Sequence, residues 1–123
     1  MNTRVRTYLI ELARNRVNQT VNYQKLSDDC NLGLIMSEGQ HVRNEIGRIL
    51  GEISEYEHLH KRPLLSALVL RLNDGEEGDG FYKLGEKLGF GNWKNLKNNL
   101  FEFEQIAECV DKWSDDDFYR ENR

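Results

Sequence analysis

The sequence predicts an α+β fold, namely a winged-helix-like core with additional C-terminal helices. Three helical patterns come first, and a nearly continuous apolar run at residues 64–72 follows them. A glycine-rich acidic loop at residues 75–80 comes after this run. Helix, helix, helix, strand and loop is the order of a winged helix-turn-helix, so the two later helical patterns predict an extension of that core.

The first half of the chain is predicted to be helical with one brief extended piece. Apolar residues at i, i+3, i+4 and i+7 predict a helix over residues 4–16. Residues 21–30 predict the extended piece and then a second helix, with Asn22 as its N-cap. Ser37 and Gln40 have the spacing of a capping box, which predicts the start of a third helix. Its apolar face consists of Val42, Ile46, Ile49, Leu50 and Ile53.

The second half is predicted to contain one central strand and two helical regions. Residues 64–72 lie between the only proline and a turn signal, which favours a buried strand. Residues 81–88 predict a short helix that is ended by Gly89. A last helical region is predicted over residues 93–113, with residues 98–99 as a point of division.

An apolar stripe follows the last helical region at spacings of three and four. Its members are Trp93, Leu96, Leu100, Phe103, Ala107 and Val110. A helix packed on its own core is the favoured interpretation, and a coiled-coil seam between two chains is the alternative. Trp113 and Phe118 are candidates for an exposed anchor that binds a partner. We expect a single domain over residues 1–113 and a polar, fraying tail over residues 114–123.

Composition favours a soluble, cytoplasmic protein. The 123 residues suffice for a core without disulfides, and 31% of them are charged. No apolar run has the length of a membrane span, and the N-terminus lacks the pattern of a secretory signal. Cys30 and Cys109 are far apart and have no metal-binding spacing, so both are expected to be reduced thiols. We expect no cofactor and no membrane contact.

Motifs in three segments resemble the C-terminal winged-helix domain of the alkylguanine DNA alkyltransferases and the alkyltransferase-like proteins. That family carries V-x-Y-x-x-L-A, then R-A-V-G on a helix, then P-C-H-R-V and a glycine turn. Residues 21–27 read VNYQKLS, residues 42–47 read VRNEIG, and residues 63–69 read PLLSALV. The resemblance covers residues 20–75 and implies a winged-helix fold.

Departures from the family pattern remove its chemistry. The alkyl-accepting cysteine of the family would fall at Leu64, and its histidine at Leu65. Alkyl transfer requires an activated thiolate, which leucine cannot supply. The arginine that props open the DNA base stack aligns with Asn44, and Arg43 stands one residue earlier. The resemblance therefore implies a fold and leaves DNA binding as an alternative.

The chain also looks like a group of small bacterial proteins of uncharacterised activity. These share a Y-x-x-L start, a G-x-x-L helix, a P-L-L-S-A-L-V strand and a G-x-G-F loop. The corresponding segments here are residues 23–26, 47–50, 63–69 and 78–81. This second resemblance is the closer one, and it implies no biochemical activity.

A histidine cluster and an acidic loop have the composition of metal sites, but a solvent-exposed surface is the favoured interpretation of both. His58 and His60, with Glu55 and Glu57 nearby, have ligand chemistry, but a solvated helix end is favoured. The acids of residues 74–79 lack the order of a calcium loop, so an exposed acidic wing is favoured over a cation site. We expect no metal and no enzymatic activity, although an unrecognised small enzyme centred near residues 63–81 is a third hypothesis.

Two functional hypotheses remain for a binding protein. The first is a protein-interaction module, including an immunity- or inhibitor-type protein, whose acidic faces meet a basic partner. Its candidate residues are Glu76, Glu77, Asp79 and Phe81. The alternative is a winged-helix nucleic-acid binder, which the net charge of −4 disfavours. Its candidate residues are Arg4, Arg6, Tyr23, Arg43, Asn44 and Arg48.

The arginines of the first helix have a second interpretation. Arg4, Arg6, Arg14 and Arg16 precede an acidic C-terminal segment, and pairing with its carboxylates is slightly favoured over contacts with phosphates. The sequence leaves the identity of the partner and the oligomeric state open.

Overall fold

A computed structural model describes residues 1–71 and 78–123, and this part of the chain is mostly helical with a small parallel sheet. The helices are α1 (Thr3–Ala13), α2 (Tyr23–Asp29), α3 (Gln40–Leu59), α4 (Asp79–Lys87), α5 (Trp93–Asn98), α6 (Phe101–Ser114) and α7 (Asp116–Asn122). The strands β1 (Val21–Asn22) and β2 (Val69–Leu70) pair with Val21 opposite Val69. The fold is α+β, as the sequence predicts at that level.

The predicted start of α2 is confirmed by its cap. The side-chain oxygen of Asn22 accepts a hydrogen bond from the backbone N–H of Lys25 at 2.8 Å. Asn2 caps α1 in the same way, through the backbone N–H of Val5 at 3.0 Å. Such caps satisfy backbone donors that the first turn of a helix leaves without a partner.

The predicted start of α3 is wrong, whereas its predicted core face is confirmed. Ser37 lies in a 3-10 turn at Met36–Glu38, and Gln40 is the first residue of α3 rather than its third. Gly39 stands between this turn and α3 with a φ of +130°, a conformation that side chains disfavour. The five apolar residues predicted to face the core are all buried: Val42, Ile46, Ile49, Leu50 and Ile53.

The predicted central strand at residues 64–72 is wrong over most of its length. Leu65–Leu68 form a 3-10 turn, and the extended part is only Val69–Leu70. Leu72 lies outside the described residues. Every residue from Leu64 to Val69 is buried, so the continuous apolar run reports burial on all sides rather than an extended backbone.

The acidic wing predicted at residues 75–80 is partly a helix. Residues 75–77 lie outside the described part, whereas Asp79 and Gly80 form the first turn of α4. The end of α4 agrees with the prediction, because Gly89 follows it with a φ of +95°. The described residues contain no antiparallel wing, since their two strands run parallel.

The last helical region divides where the sequence predicts, but its buried face is a different one. Leu100 separates α5 from α6 in a left-handed conformation with φ of +59°. The buried residues of α6 include Phe101, Gln105, Cys109 and Trp113, whereas Phe103 of the predicted stripe is 58% exposed. The face of α6 that packs in the core is therefore not the apolar stripe predicted from the sequence.

The predicted fraying tail is wrong, because α7 forms a helix that packs on the domain. Asp115 caps it by accepting a hydrogen bond from the backbone N–H of Phe118 at 2.9 Å. The ring of Phe118 packs edge-on against Trp113 with 4.9 Å between ring centroids. Trp113 is fully buried, so the predicted exposed anchor at this position is also wrong.

Two apolar clusters hold the described residues together. The larger joins α1, α2, α3 and α6, and the smaller joins α4, α5 and the start of α6. Gly85 permits α4 to pack closely in the smaller cluster, because a Cβ at this position would lie 2.8 Å from Leu96 and 3.0 Å from Phe101. None of the helices in the described ranges combines the length and apolar character needed to cross a membrane.

Candidate functional site

A groove of about 1190 Å³ lies between α2, α3 and α4. The first residues of α2 and the turn at Met36–Glu38 line one end of it. One face of α3 forms the long wall, and α4 with the residue before it forms the opposite wall. Arg71 and Gly78, which flank the segment outside the described residues, also contribute.

The floor of the groove is apolar. Ile46 and Leu50 from α3 meet Phe81 from α4, and all three are buried. Gly47 and Gly51 lie on the groove side of α3, where an added Cβ at either position would meet nothing within 4 Å. The absence of side chains at these two glycines leaves room for a ligand against the helix.

The rim of the groove is cationic. The exposed cations among its described lining residues are Arg43, Arg48, Arg71, Lys83 and Lys87. The acid among them, Asp79, is paired with Lys97 at 2.8 Å, and that hydrogen bond lowers the pKa of the carboxyl group. Among its described lining residues, the groove therefore presents positive charge around an apolar floor.

Some rim cations are engaged by carboxylates. Arg48 is ion-paired with Glu45 at 2.6 Å and with Glu52, and its hydrogen bond lowers the pKa of Glu45. Lys87 is ion-paired with Glu55 at 2.6 Å. A ligand that binds Arg48 or Lys87 has to compete with these local partners.

Arg43 and Lys83 are the rim cations without a described carboxylate partner. Arg43 donates to the backbone carbonyl of Met36 at 3.3 Å. The ammonium of Lys83 lies 5.1 Å from the ring centroid of Trp93. Neither cation forms an ion pair within the described ranges, although the charge of Asp79 acts on Lys83, and the two cations lie on opposite walls of the groove.

The structure brings together four of the six residues predicted for nucleic-acid binding. Tyr23, Arg43, Asn44 and Arg48 all line the groove. Arg4 lies elsewhere and donates to the carbonyl of Cys30 at 3.5 Å. Arg6 is 8% exposed and hydrogen-bonded to Glu57 at 2.9 Å, so burial excludes it from a phosphate-binding surface.

The predicted partner-binding residues do not form an exposed acidic patch in the described structure. Glu76 and Glu77 lie outside the described residues. Asp79 is exposed but neutralised by Lys97, and Phe81 is buried at the floor of the groove rather than presented to solvent. A basic partner therefore finds little to recognise at Asp79 and Phe81.

The sequence did not reveal a buried ion cluster beneath α7. Glu57, predicted to lie at a solvated helix end, is fully buried and accepts hydrogen bonds from Arg6 and Arg62, each at 2.9 Å. The two arginines also donate to the backbone and side chain of Asn122, at 2.8 Å and 3.3 Å. No local spacing signals this cluster, because Arg6 and Glu57 are 51 positions apart.

The predicted pairing of α1 arginines with the C-terminal segment is confirmed at one position. Arg14 forms an ion pair with Asp116 at 2.8 Å and donates to the carbonyl of Trp113 at 2.8 Å. Its guanidinium also lies 3.9 Å from the ring centroid of Tyr119. Arg14 thus fixes α7 against α1.

The candidate histidine ligands and the two cysteines are not assembled into a site in the described residues. His58 and His60 pack against Phe90 and Tyr56, with centroid distances of 5.1 Å and 4.4 Å. No group of three or more histidine, cysteine or acidic residues in residues 1–71 and 78–123 is placed to hold a metal ion. Burial raises the pKa of both cysteine thiols, which disfavours the thiolate form.

Comparison with known proteins assigns the chain to no family. No protein-family model matches the sequence. Neither a curated protein nor a solved structure matches it at a significant level. The two resemblances seen in the sequence stay predictions.

Proposed function

We propose that the protein is a non-enzymatic protein-interaction module whose groove binds an acidic amphipathic helix of a partner. The apolar floor surrounded by a cationic rim carries this proposal. An amphipathic helix lays its apolar face into such a groove, and rim charges select the sign of its flanking side chains.

The expected charge of the partner follows from the two rim cations that form no ion pair within the described ranges. Arg43 on α3 and Lys83 on α4 can receive carboxylates from both sides of a bound helix without first losing an ion pair. The proposal keeps the predicted class, a protein-interaction module, and reverses the predicted charge of the partner from basic to acidic.

A second candidate function is nucleic-acid binding by a winged-helix-like core. Tyr23, Arg43, Asn44 and Arg48 share the groove, and α1, β1, α2 and α3 follow the order in which a winged helix begins. Phosphates are bound by cations, and the apolar floor adds nothing to such contacts, whereas it can receive the apolar face of a helix. Protein interaction is therefore the first proposal.

The test uses fluorescence anisotropy with short labelled helical peptides. The peptides share one apolar face and carry either an acidic or a basic polar face. We expect the acidic peptides to bind the full chain and the basic ones not to bind. Labelled double-stranded DNA across a salt series forms the third arm of the experiment, because phosphate binding weakens steeply with salt.

Gly47→Leu blocks the groove without weakening the fold. An added Cβ at Gly47 meets no atom within 4 Å, and replacing a glycine inside a helix stabilises it by about 0.5–1 kcal/mol. We expect an unchanged or raised melting temperature together with a loss of peptide affinity on the order of tenfold, about 1.4 kcal/mol. Full affinity in this variant contradicts the proposed site.

A pair of charge variants separates the groove from general charge attraction. Arg43→Gln with Lys83→Gln removes two rim charges. Arg16→Gln with Lys61→Gln removes two exposed charges outside the groove and serves as the matched control. Only the groove pair should weaken the acidic peptide. Equal losses in both pairs contradict the proposal, and salt-steep DNA binding that Gly47→Leu abolishes supports the second candidate.

A further inference from the structure

The solvent-facing side of α6 carries apolar residues that the domain does not cover. Leu100 is 54% exposed and Phe103 is 58% exposed. Ala107 is also exposed, and Val110 is half-buried. Spacings of three and four residues place Phe103, Ala107 and Val110 along one side of the helix, and Leu100 precedes them as the left-handed N-cap residue. We call this stripe the outer face of α6.

Carboxylates line one side of the outer face. Glu104, Glu108 and Asp111 are exposed and lie within one turn of its apolar members. The opposite side of α6 is already packed in the core through residues such as Phe101 and Trp113. The outer face is therefore the acidic, apolar surface of a helix whose other side is fixed.

We propose that the outer face of α6 is the ligand that the groove of a second copy of this chain takes. The inference rests on the proposed function and names its partner. Phe103 supplies the apolar side chain for the floor at Ile46 and Phe81, and the acids, which lie on one side of the stripe, meet the cations of one wall of the groove. The surface thus offers an apolar side chain for the floor and carboxylates for the rim.

Charge repulsion disfavours a direct contact between the outer faces of α6 in two copies of the chain. In a symmetric contact, Glu104, Glu108 and Asp111 would approach the same residues of the second copy, and like charges at an interface are unfavourable. Contact between the outer face and the groove joins opposite charges instead. The chemistry thus selects a head-to-tail interface over a two-fold symmetric one.

The two surfaces lie on different elements, which sets the form of the assembly. The groove is built from α2, α3 and α4, whereas the outer face belongs to α6. One chain can use both surfaces at once. Head-to-tail contacts give a ring when the rotation closes and an open chain when it does not, so association proceeds beyond a dimer.

The test measures mass by analytical ultracentrifugation with two complementary full-length variants. The groove variant carries Arg43→Gln and Lys83→Gln, and the face variant carries Phe103→Ser and Glu104→Gln. All four residues are exposed, so each variant should keep the circular dichroism spectrum of the wild type. We expect the wild type to increase in mass with concentration past the dimer, and each variant alone to stay monomeric.

Mixing the two variants provides the decisive result. The groove variant keeps an intact outer face and the face variant keeps an intact groove, so an equal mixture should form a species of twice the monomer mass and stop there. A mixture that stays monomeric overturns the inference. Association of the wild type that requires Phe103 but survives the groove substitutions also overturns it, because that result indicates a symmetric α6 contact.

The outcomes separate this inference from the proposed function. Acidic peptides that bind in the anisotropy experiment, together with a mixture that stays monomeric, leave the groove function standing and remove self-association. Absence of peptide binding removes the groove function itself.

Discussion

Two networks of arginine and glutamate on α3 use the same chemistry in opposite settings. At the inner end of the helix, Glu57 is fully buried between Arg6 and Arg62. On the outer surface, Arg48 is exposed between Glu45 and Glu52. One network surrounds a carboxylate with two cations, and the other surrounds a cation with two carboxylates.

The two networks differ in how deeply they are buried and in how far apart in the sequence their members lie. In the outer network Arg48 pairs with residues three and four positions away, and Glu52 also pairs with the N-terminal ammonium of Met1 at 3.7 Å. Exposed pairs of this kind contribute little to stability. The inner network joins α1, α3 and, through Asn122, α7. Breaking a buried pair leaves an uncompensated charge, which is costly. The inner network therefore fixes the tertiary structure, whereas the outer one leaves its surface available to a ligand.

Glu57→Gln should produce the largest loss of stability. The variant keeps the size of the side chain but leaves the charges of Arg6 and Arg62 buried without their counterion. We expect the free energy of unfolding to fall by about 3–5 kcal/mol, measured by urea denaturation. Glu52→Gln, on the exposed side of the same helix, is the matched control and should give no measurable change. Equal effects in the two variants would show that burial does not distinguish the networks.

Ser54→Ala extends the comparison to a neutral group on the inner side of α3. The hydroxyl of Ser54 donates to Ser66 Oγ at 2.7 Å and accepts from the backbone N–H of Ser66 at 3.1 Å. Alanine leaves that buried donor without its acceptor, so we expect a loss of about 1–3 kcal/mol in urea denaturation. Ser66→Ala keeps the acceptor for the N–H and should cost less. A larger loss in Ser66→Ala would contradict this account.

Features that depend on near neighbours were predicted from the sequence. The cap at Asn22, the stop at Gly89 and the division near residues 98–99 are local events, because turn chemistry involves residues a few positions apart. The buried face of α3 follows from helical periodicity. Four residues predicted to share a binding surface do share the groove, since three of them lie close together on α3.

Features that depend on packing between distant segments were not predicted. The run at residues 64–72 is buried on all sides, and burial alone does not distinguish a strand from a 3-10 turn. The left-handed residue Leu100 shifts the register of α6, so the apolar stripe does not give its core face. Lys83 enters the site only because α4 packs across from α3, which no spacing in the sequence reports.

The ion pair between Arg14 and Asp116 joins distant segments but is exposed, so it tests sequence separation without burial. Its loss should have the smallest effect on stability. It joins α1 to α7 across 102 positions, as the inner network does, but Asp116 is exposed, as in the outer network. The hydrogen bond from Arg14 lowers the pKa of Asp116 below its ordinary value of 3.8. A carboxylate with a lower pKa in the folded protein stabilises it above that ordinary value, and the contribution is lost as the pH falls through the folded pKa.

Hydrogen exchange of the α7 amides in the wild type and in Asp116→Asn measures this contribution. At about pH 6 we expect lower protection of α7 in the variant, and at a pH below the lowered pKa of Asp116 the difference should shrink because Asp116 becomes protonated in the wild type. Asp117→Asn is the control, since Asp117 pairs with Arg120 within α7 and does not join it to α1. A difference at pH 6 means that an exposed ion pair between distant segments is sufficient to hold α7 against α1. If the variant and the wild type exchange equally at both pH values, the docking depends on burial, through the contacts of Arg6 and Arg62 with Asn122.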